Sequence, residues 1–257
     1  MKIPSAEYID PMFSALLQRV SSQLSGRVPS QCAVCHAWPS QPVCEACVNQ
    51  FAQPKLRCHT CALPLAASMV GGIMGGITQC GACVRHPPPL DRCLAAVSYE
   101  YPWADLIVQY KFAAQTGWSA TFALLLRSAP WVEPALDDAD IVVPMPLTPT
   151  RLAERGFNQA LELAKALAPA KTRARLLLRI QDGPAQSLLP RDQRLRNVKN
   201  AFAVDPLLAG QIQGKRVVLV DDVMTSGASL RAAATALRAA GATHITGIVI
   251  ARTAPAE

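Results

Sequence analysis

Residues 217–229 read VVLVDDVMTSGAS: four apolar residues run into two adjacent carboxylates, then into a small, hydroxyl-rich stretch that leads into a helical pattern. The preceding "RVVLV" has the length and β-branching of a short buried strand. The helix is marked by Leu230, Ala233, Ala234, Leu237 and Ala240 on one face, with Gly241 as its stop. A strand, a tight turn and a helix in that order constrain the fold strongly, because in open α/β sheets ligands bind where strands end and helices begin.

The flanking chain keeps the same alternation. Strand-like "LAAVSYEY" precedes helix-like "ADLIVQYKF" and "SATFALLLRSA"; "DIVVPMPL" precedes "NQALELAKALA"; and "ITGIVIA" follows the helix after residue 229. Alternating segments of this length predict an α/β fold, a mostly parallel sheet flanked by helices, over residues 94–257. With 257 residues and 51% hydrophobic composition, the chain can build a sizeable core.

Residues 1–29 read differently. Asp10 and Pro11 start an amphipathic helix carried by Met12, Phe13, Leu16, Leu17, Val20 and Leu24 and stopped by Gly26. Glu7 and Asp10 interrupt the apolar run that a secretory signal needs, so a cytoplasmic location is expected. The uncharged stretch 62–79 has the length of a membrane span, but Pro64, four glycines and a CxxC pair at each end favour a loop, and no integral membrane segment is expected. The net charge of +7 favours phosphate-bearing ligands or nucleic acid without choosing between them.

In a reducing compartment nine cysteines point to metal thiolates rather than disulfides. Eight form CxxC pairs: Cys32/Cys35, Cys44/Cys47, Cys58/Cys61 and Cys80/Cys83, with Cys93 left over. Two knuckles complete a tetrahedral thiolate shell, so residues 30–93 are expected to form a double zinc ribbon with two closed, structural zinc sites. Sequential pairing leaves intervening loops of eight and eighteen residues; crossed pairing is the alternative. An iron–sulfur cluster, a redox pair, or haem attachment at "CAVCH" are the competing uses of such spacing.

Returning to residues 217–229, two acids beside a phosphate cradle oppose each other in sign unless the ligand is a phosphorylated sugar. Asp221 and Asp222 can accept hydrogen bonds from sugar hydroxyls, while Val223, Met224, Thr225, Ser226, Gly227, Ala228 and Ser229 wrap a phosphate at the helix start. Two rivals use the same residues: simple helix capping by Ser and Thr, and a magnesium-binding receiver domain, which needs a further strand with an acceptor Asp and a later Lys, whereas the 35 residues after Asp222 hold neither acid nor lysine of that kind. Arg151 and Arg155, in a basic turn after the second strand, and Arg191, Arg194, Arg196 and Lys199, in a basic lid-like stretch over 185–202, are candidate phosphate ligands.

Together, the four CxxC pairs, "YKF", "VVPMPLTPTRLAERGFNQ", "QSLLPRDQRLRNVKNAF", "VVLVDDVMTSGAS" and the terminal "AR" resemble the ComF family over residues 30 to 253. The motif at 217–229 is itself similar to the phosphoribosyl pyrophosphate loop of type I phosphoribosyltransferases. The resemblance implies a phosphoribosyltransferase-like domain at 94–257 behind the double zinc ribbon, and an association with competence and DNA uptake. It also implies that Asp221 and Asp222 hold ribose, Thr225 to Ser229 the 5′-phosphate, and Arg151 with Arg155 the pyrophosphate region, with magnesium; it alone raises Lys111 to a ligand-binding candidate, and Arg194 joins Asp221, Asp222 and Arg151 as a catalytic candidate. Transfer of the phosphoribosyl group to an acceptor is one expectation. A non-catalytic ligand sensor contacting single-stranded DNA or the uptake machinery, and a nucleobase salvage enzyme, are the others.

Overall fold

The computed structural model describes residues 30–65, 78–112, 116–180 and 201–254. The expected N-terminal helix (12–24), most of the 62–79 stretch and the basic stretch 185–200 with Arg191, Arg194, Arg196 and Lys199 lie outside them. The chain divides between Val48 and Asn49 into two compact units.

In the first unit, Ser30 and Ser40 exchange backbone hydrogen bonds (2.9 and 2.7 Å), closing a knuckle in which His36 N–H donates to Cys32 O. Cys44 and Cys47 lie at the start of helix α1 (Glu45–Phe51), at whose middle the unit ends.

The second unit contains helix α2 (Gly81–Arg85), strand β1 (Arg92–Ser98), helices α3 (Trp103–Phe112), α4 (Trp118–Ser128) and α5 (Val132–Asp138), strand β2 (Ile141–Pro144), helices α6 (Pro149–Arg155) and α7 (Gln159–Leu167), strands β3 (Leu177–Arg179), β4 (Phe202–Val204) and β5 (Arg216–Met224), helix α8 (Ala228–Ala239) and strand β6 (His244–Arg252). Four strands form a fully parallel sheet in the order β1-β6-β5-β2. The central pair β5 and β6 is longest, and its side chains are buried on both faces. On one face Val217, Leu219, Ile245 and Val249 join Leu230, Ala233, Ala234 and Leu237 of α8 in a single cluster. Val218, Val220 and Ile248 are equally buried but lie outside that cluster, and α4 and α7 pack against β1, β2, β5 and β6. Covering both faces is what near-continuous apolar strands require, and each fully buried Val, Leu or Ile contributes about 1.5–3 kcal/mol.

Four features depart from the sequence reading. Strand β5 does not stop at the acidic pair but runs through it to Met224, because β6 continues beside it as far as Arg252. The basic turn after β2 is the short helix α6: Thr148 Oγ1 caps the Arg151 N–H at 3.3 Å, Pro149 takes the first helical position, and Gly156 (φ 76°) ends it. A separate antiparallel hairpin pairs β3 with β4. Helix α5 follows Trp131, which adopts a left-handed φ of 71°. Among the described residues no helix is long and apolar enough to cross a membrane.

Candidate functional site

Strand β2 pairs with β5 only as far as Pro144 opposite Val220, and Met145 N–H makes the last bond, to Val220 O at 2.9 Å. On its other side β5 stays paired with β6 to Met224 opposite Arg252. Among the described residues, 221–224 therefore have a strand on one side only, and the side vacated by β2 opens into a cavity of about 260 Å³. Lys111, Arg151, Arg155 and the whole run 221–229 line it. Arg194 lies outside the described residues and is not placed.

The two carboxylates differ in surroundings. Asp222 is 8% exposed and accepts an ion pair from Lys111 Nζ at 2.9 Å, so its charge is compensated inside the wall. Asp221 Oδ1 accepts the Asp222 N–H at 2.9 Å. Burial, followed by the neighbouring charge of Asp222, pushes the Asp221 carboxyl up to about 7, against the opposing pull of that N–H, Lys111 and Arg155.

Lys111 ends α3, and its aim is set from elsewhere. Gln159, 1% exposed at the start of α7, donates through Nε2 to Lys111 O (3.2 Å), while its Oε1 accepts from Arg155 Nη1 (3.1 Å). One buried amide thus holds the Lys111 backbone and the Arg155 guanidinium. Beside it Asn158 caps α7 by accepting the Leu161 N–H and donates to Met145 O at 3.1 Å, pinning the segment where β2 leaves the sheet. The Arg155 guanidinium also lies over the Phe112 ring, 5.5 Å from its centroid. Composition gave Lys111 the look of a surface lysine; only tertiary packing brings it to Asp222.

The hydroxyl stretch turns sharply into α8. Gly227 has φ 76°, and a Cβ there would come within 2.3 Å of Met224 Cε, so both backbone and space demand glycine. Ser226 Oγ accepts the Ala228 N–H at 3.3 Å, and Thr225 is exposed. Gly227 to Leu230, the opening of a 12-residue helix, face the cavity, where first-turn amides and the helix dipole favour an anion. Arg179 of β3 and Tyr99 complete the wall. Neither stood out in the sequence, since the hairpin that presents Arg179 was not legible there.

The cysteines gather as two groups of four, Cys32/Cys35/Cys44/Cys47 and Cys58/Cys61/Cys80/Cys83, with all sulfurs in each within 4.8 Å of one another. The Cys32–Cys47, Cys35–Cys44 and Cys61–Cys80 sulfurs lie 3.9, 3.6 and 3.7 Å apart. Four ligands at about 2.3 Å around a tetrahedral ion would stand about 3.8 Å apart, so both groups can hold zinc. Backbone amides already serve the sulfurs: Cys44 N–H donates to Cys32 Sγ (3.3 Å) and Cys80 N–H to Cys58 Sγ (3.2 Å). The second group belongs to the core cluster of the sheet unit. Cys93 joins neither group; its Sγ lies 3.6 Å from Met224 Sδ.

A profile for the phosphoribosyl transferase domain matches residues 161–256, a span that holds β5, the acidic pair, the loop and α8. The DNA utilization protein YhgH of Salmonella typhimurium is 30% identical over 85% of this chain and 95% of its own length. The chain belongs to the ComF family. Within it, competence protein F of Haemophilus influenzae is 31% identical over 65% of this chain and 75% of its own length. Competence protein ComFC of Bacillus subtilis is 26% identical over 77% and 79%. Among solved structures, the glutamine phosphoribosylpyrophosphate amidotransferase of B. subtilis complexed with ADP and GMP aligns at 24% identity and a TM-score of 0.32, over 55% of this chain and 26% of its own. This ComF chain thus combines a phosphoribosyltransferase domain, built on a parallel sheet flanked by helices, with cysteine groups compatible with zinc ribbons.

Proposed function

We propose that the cavity binds phosphoribosyl pyrophosphate together with magnesium, and that this ligand serves the DNA handling suggested by the names of the relatives. The observation that carries the reading is the juxtaposition in one notch of a carboxylate pair, a helix-opening anion cradle and cations that include Lys111, Arg151 and Arg155. A diol needs acceptors, a terminal phosphate needs amides and hydroxyls, and a pyrophosphate needs cations. The notch offers all three.

In this arrangement Asp221 and Asp222 accept hydrogen bonds from the ribose 2′- and 3′-hydroxyls, and Thr225 to Ser229 hold the 5′-phosphate. Arg151 and Arg155 face the pyrophosphate, with Arg155 held in place by Gln159 and Phe112. Lys111 neutralises Asp222 until the sugar arrives. Magnesium, a hard cation suited to carboxylate and phosphate oxygens, would neutralise charge on the pyrophosphate leaving group. An acceptor entering the open side would form a bond to the anomeric carbon while the bond to pyrophosphate breaks and its electron pair leaves with the pyrophosphate. The protein supplies positioning and charge stabilisation for that step. Zinc in both cysteine groups has a closed shell and a structural role.

Calorimetry on the zinc-loaded chain tests the reading. Phosphoribosyl pyrophosphate is expected to bind with magnesium, ribose 5-phosphate more weakly, and Asp221→Asn or Arg155→Ala to lower affinity at least tenfold. Equal affinity in native and substituted chains would overturn the assignment. Pyrophosphate release in the presence of a panel of bases and DNA then tests transfer.

A further inference from the structure

One buried guanidinium bridges the second cysteine group and the anion loop. Arg252, the last residue of β6, is 7% exposed. Its Nε donates to Cys61 O at 2.9 Å. Its Nη1 donates to Met224 O at 3.0 Å, to Thr225 O and to Thr253 O at 2.7 Å. With the Thr253 hydroxyl at 3.4 Å as a fifth, longer contact, these acceptors are all neutral, so the geometry of those peptides is what stabilises the buried charge.

The consequence for the loop follows from the planar trans peptide, in which the C=O of one residue and the N–H of the next point in opposite directions. Drawing Met224 O and Thr225 O onto Arg252 turns the Thr225 and Ser226 N–H groups away from it. Both residues line the cavity. Arg252, together with the Thr253 N–H that also donates to Met224 O at 3.1 Å, therefore sets the direction of two amides in the cradle without touching a ligand there.

Its other end is anchored at a metal-ligating knuckle. Cys61 shares that knuckle with Cys58, and its Sγ lies 3.7 Å from that of Cys80 across the group. The knuckle is also tied by Cys93 N–H to His59 O (2.8 Å) and by Arg57 Nη1 to Ala62 O (3.2 Å). Cys93 in turn rests on Met224, the residue whose methyl sets the limit at Gly227. A metal held by the Cys61 thiolate would fix this knuckle, and with it the carbonyl that Arg252 meets.

We propose that Arg252 is a positioning residue that presents the loop amides to phosphate and makes ligand affinity depend on metal occupancy of the Cys58/Cys61/Cys80/Cys83 group. The inference rests on the phosphoribosyl reading above. In Arg252→Lys the ammonium cannot span the knuckle and both loop carbonyls, yet it keeps the charge.

The test uses the full chain with phosphoribosyl pyrophosphate and magnesium. For the native chain, chelating the metal is expected to lower affinity at least tenfold. For metal-loaded Arg252→Lys, affinity is expected to be at least tenfold below native with unchanged metal content, and chelation is expected to change it less than threefold further. In the cobalt(II)-substituted native chain, ribose 5-phosphate is expected to shift the thiolate–cobalt absorption; Cys35→Ser, which disables the first group, should keep that shift, and Arg252→Lys should lose it. No binding by the metal-loaded native chain would overturn the phosphoribosyl reading and this inference with it. Native binding without the cobalt shift, or an Arg252→Lys chain that binds and couples like the native one, would overturn the inference alone. The cobalt measurement on the native chain decides the matter even if Arg252→Lys fails to fold.

Discussion

Replacing Lys111 with methionine keeps the length of the side chain and removes one end of an ion pair whose partners have only 17% and 11% of their side-chain surface exposed. At 2.9 Å and an effective dielectric of about 20, the direct attraction is about 6 kcal/mol, most of it offset by the cost of taking both charges out of water. Removing only the cation leaves the Asp222 carboxylate buried without its partner. The expected loss is about 3 kcal/mol, near the low end for buried pairs because both groups keep some contact with water. For a unit of this size that corresponds to a fall in Tm of about 6–12 °C. Asp222→Asn should cost only about 1 kcal/mol, since the freed lysine stem can swing toward solvent. The double variant should cost little more than Asp222→Asn alone, giving a coupling energy approaching about 3 kcal/mol in a double-mutant cycle. Denaturant unfolding of the four chains followed by circular dichroism supplies the numbers. A coupling below about 0.5 kcal/mol would show that the pair does not set the charge state of the wall.

Three further outcomes are expected. Asp221 binds its proton more tightly in the folded chain than when unfolded, so its ionisation should lower fold stability as pH rises from about 4 to about 7. The same ionisation should raise affinity for magnesium–phosphoribosyl pyrophosphate through that window, and Asp221→Asn, measured by calorimetry at the same pH values, should flatten the part of the profile it causes. Gly227→Ala should cost about 1–2 kcal/mol for the left-handed backbone alone, and its overlap with Met224 Cε should further reduce phosphate affinity; an unchanged Tm together with unchanged affinity would refute the account of the turn. Burial pushes the Cys93 thiol up to about 12, so an aromatic disulfide reagent at pH 8 should leave it unmodified until the chain unfolds, as mass spectrometry of digested protein would show.

The parts of the site that were legible in the sequence are local. Asp221 to Ser229 form one continuous segment whose strand, turn and helix signals agree, and the CxxC spacing brings each pair of sulfurs together over four residues. What was not legible depends on distant neighbours. Nothing around Lys111 distinguishes it from a solvated lysine, because its partner Asp222 and its support Gln159 come from other elements. Gln159 lay in a recognised motif, yet its two hydrogen bonds arise only when α3, α6 and α7 converge. Arg252 closes an ordinary apolar strand, and its role appears only once Cys61 and Met224 are brought to it from opposite ends of the domain. The length of β5 was underestimated for a related reason: two aspartates are poor strand formers alone, and β6 holds them extended from one side.

The short second strand also says how such a pocket can be made or lost. Its opening is four residues of β5 that, among the described residues, have no strand on the β2 side once β2 departs after Pro144. Lengthening β2 by four residues would zip that gap shut with backbone hydrogen bonds and leave the sheet sounder and the cavity closed. In this architecture, then, vacancy is a matter of chain length, and the recess persists because its bordering strand falls short.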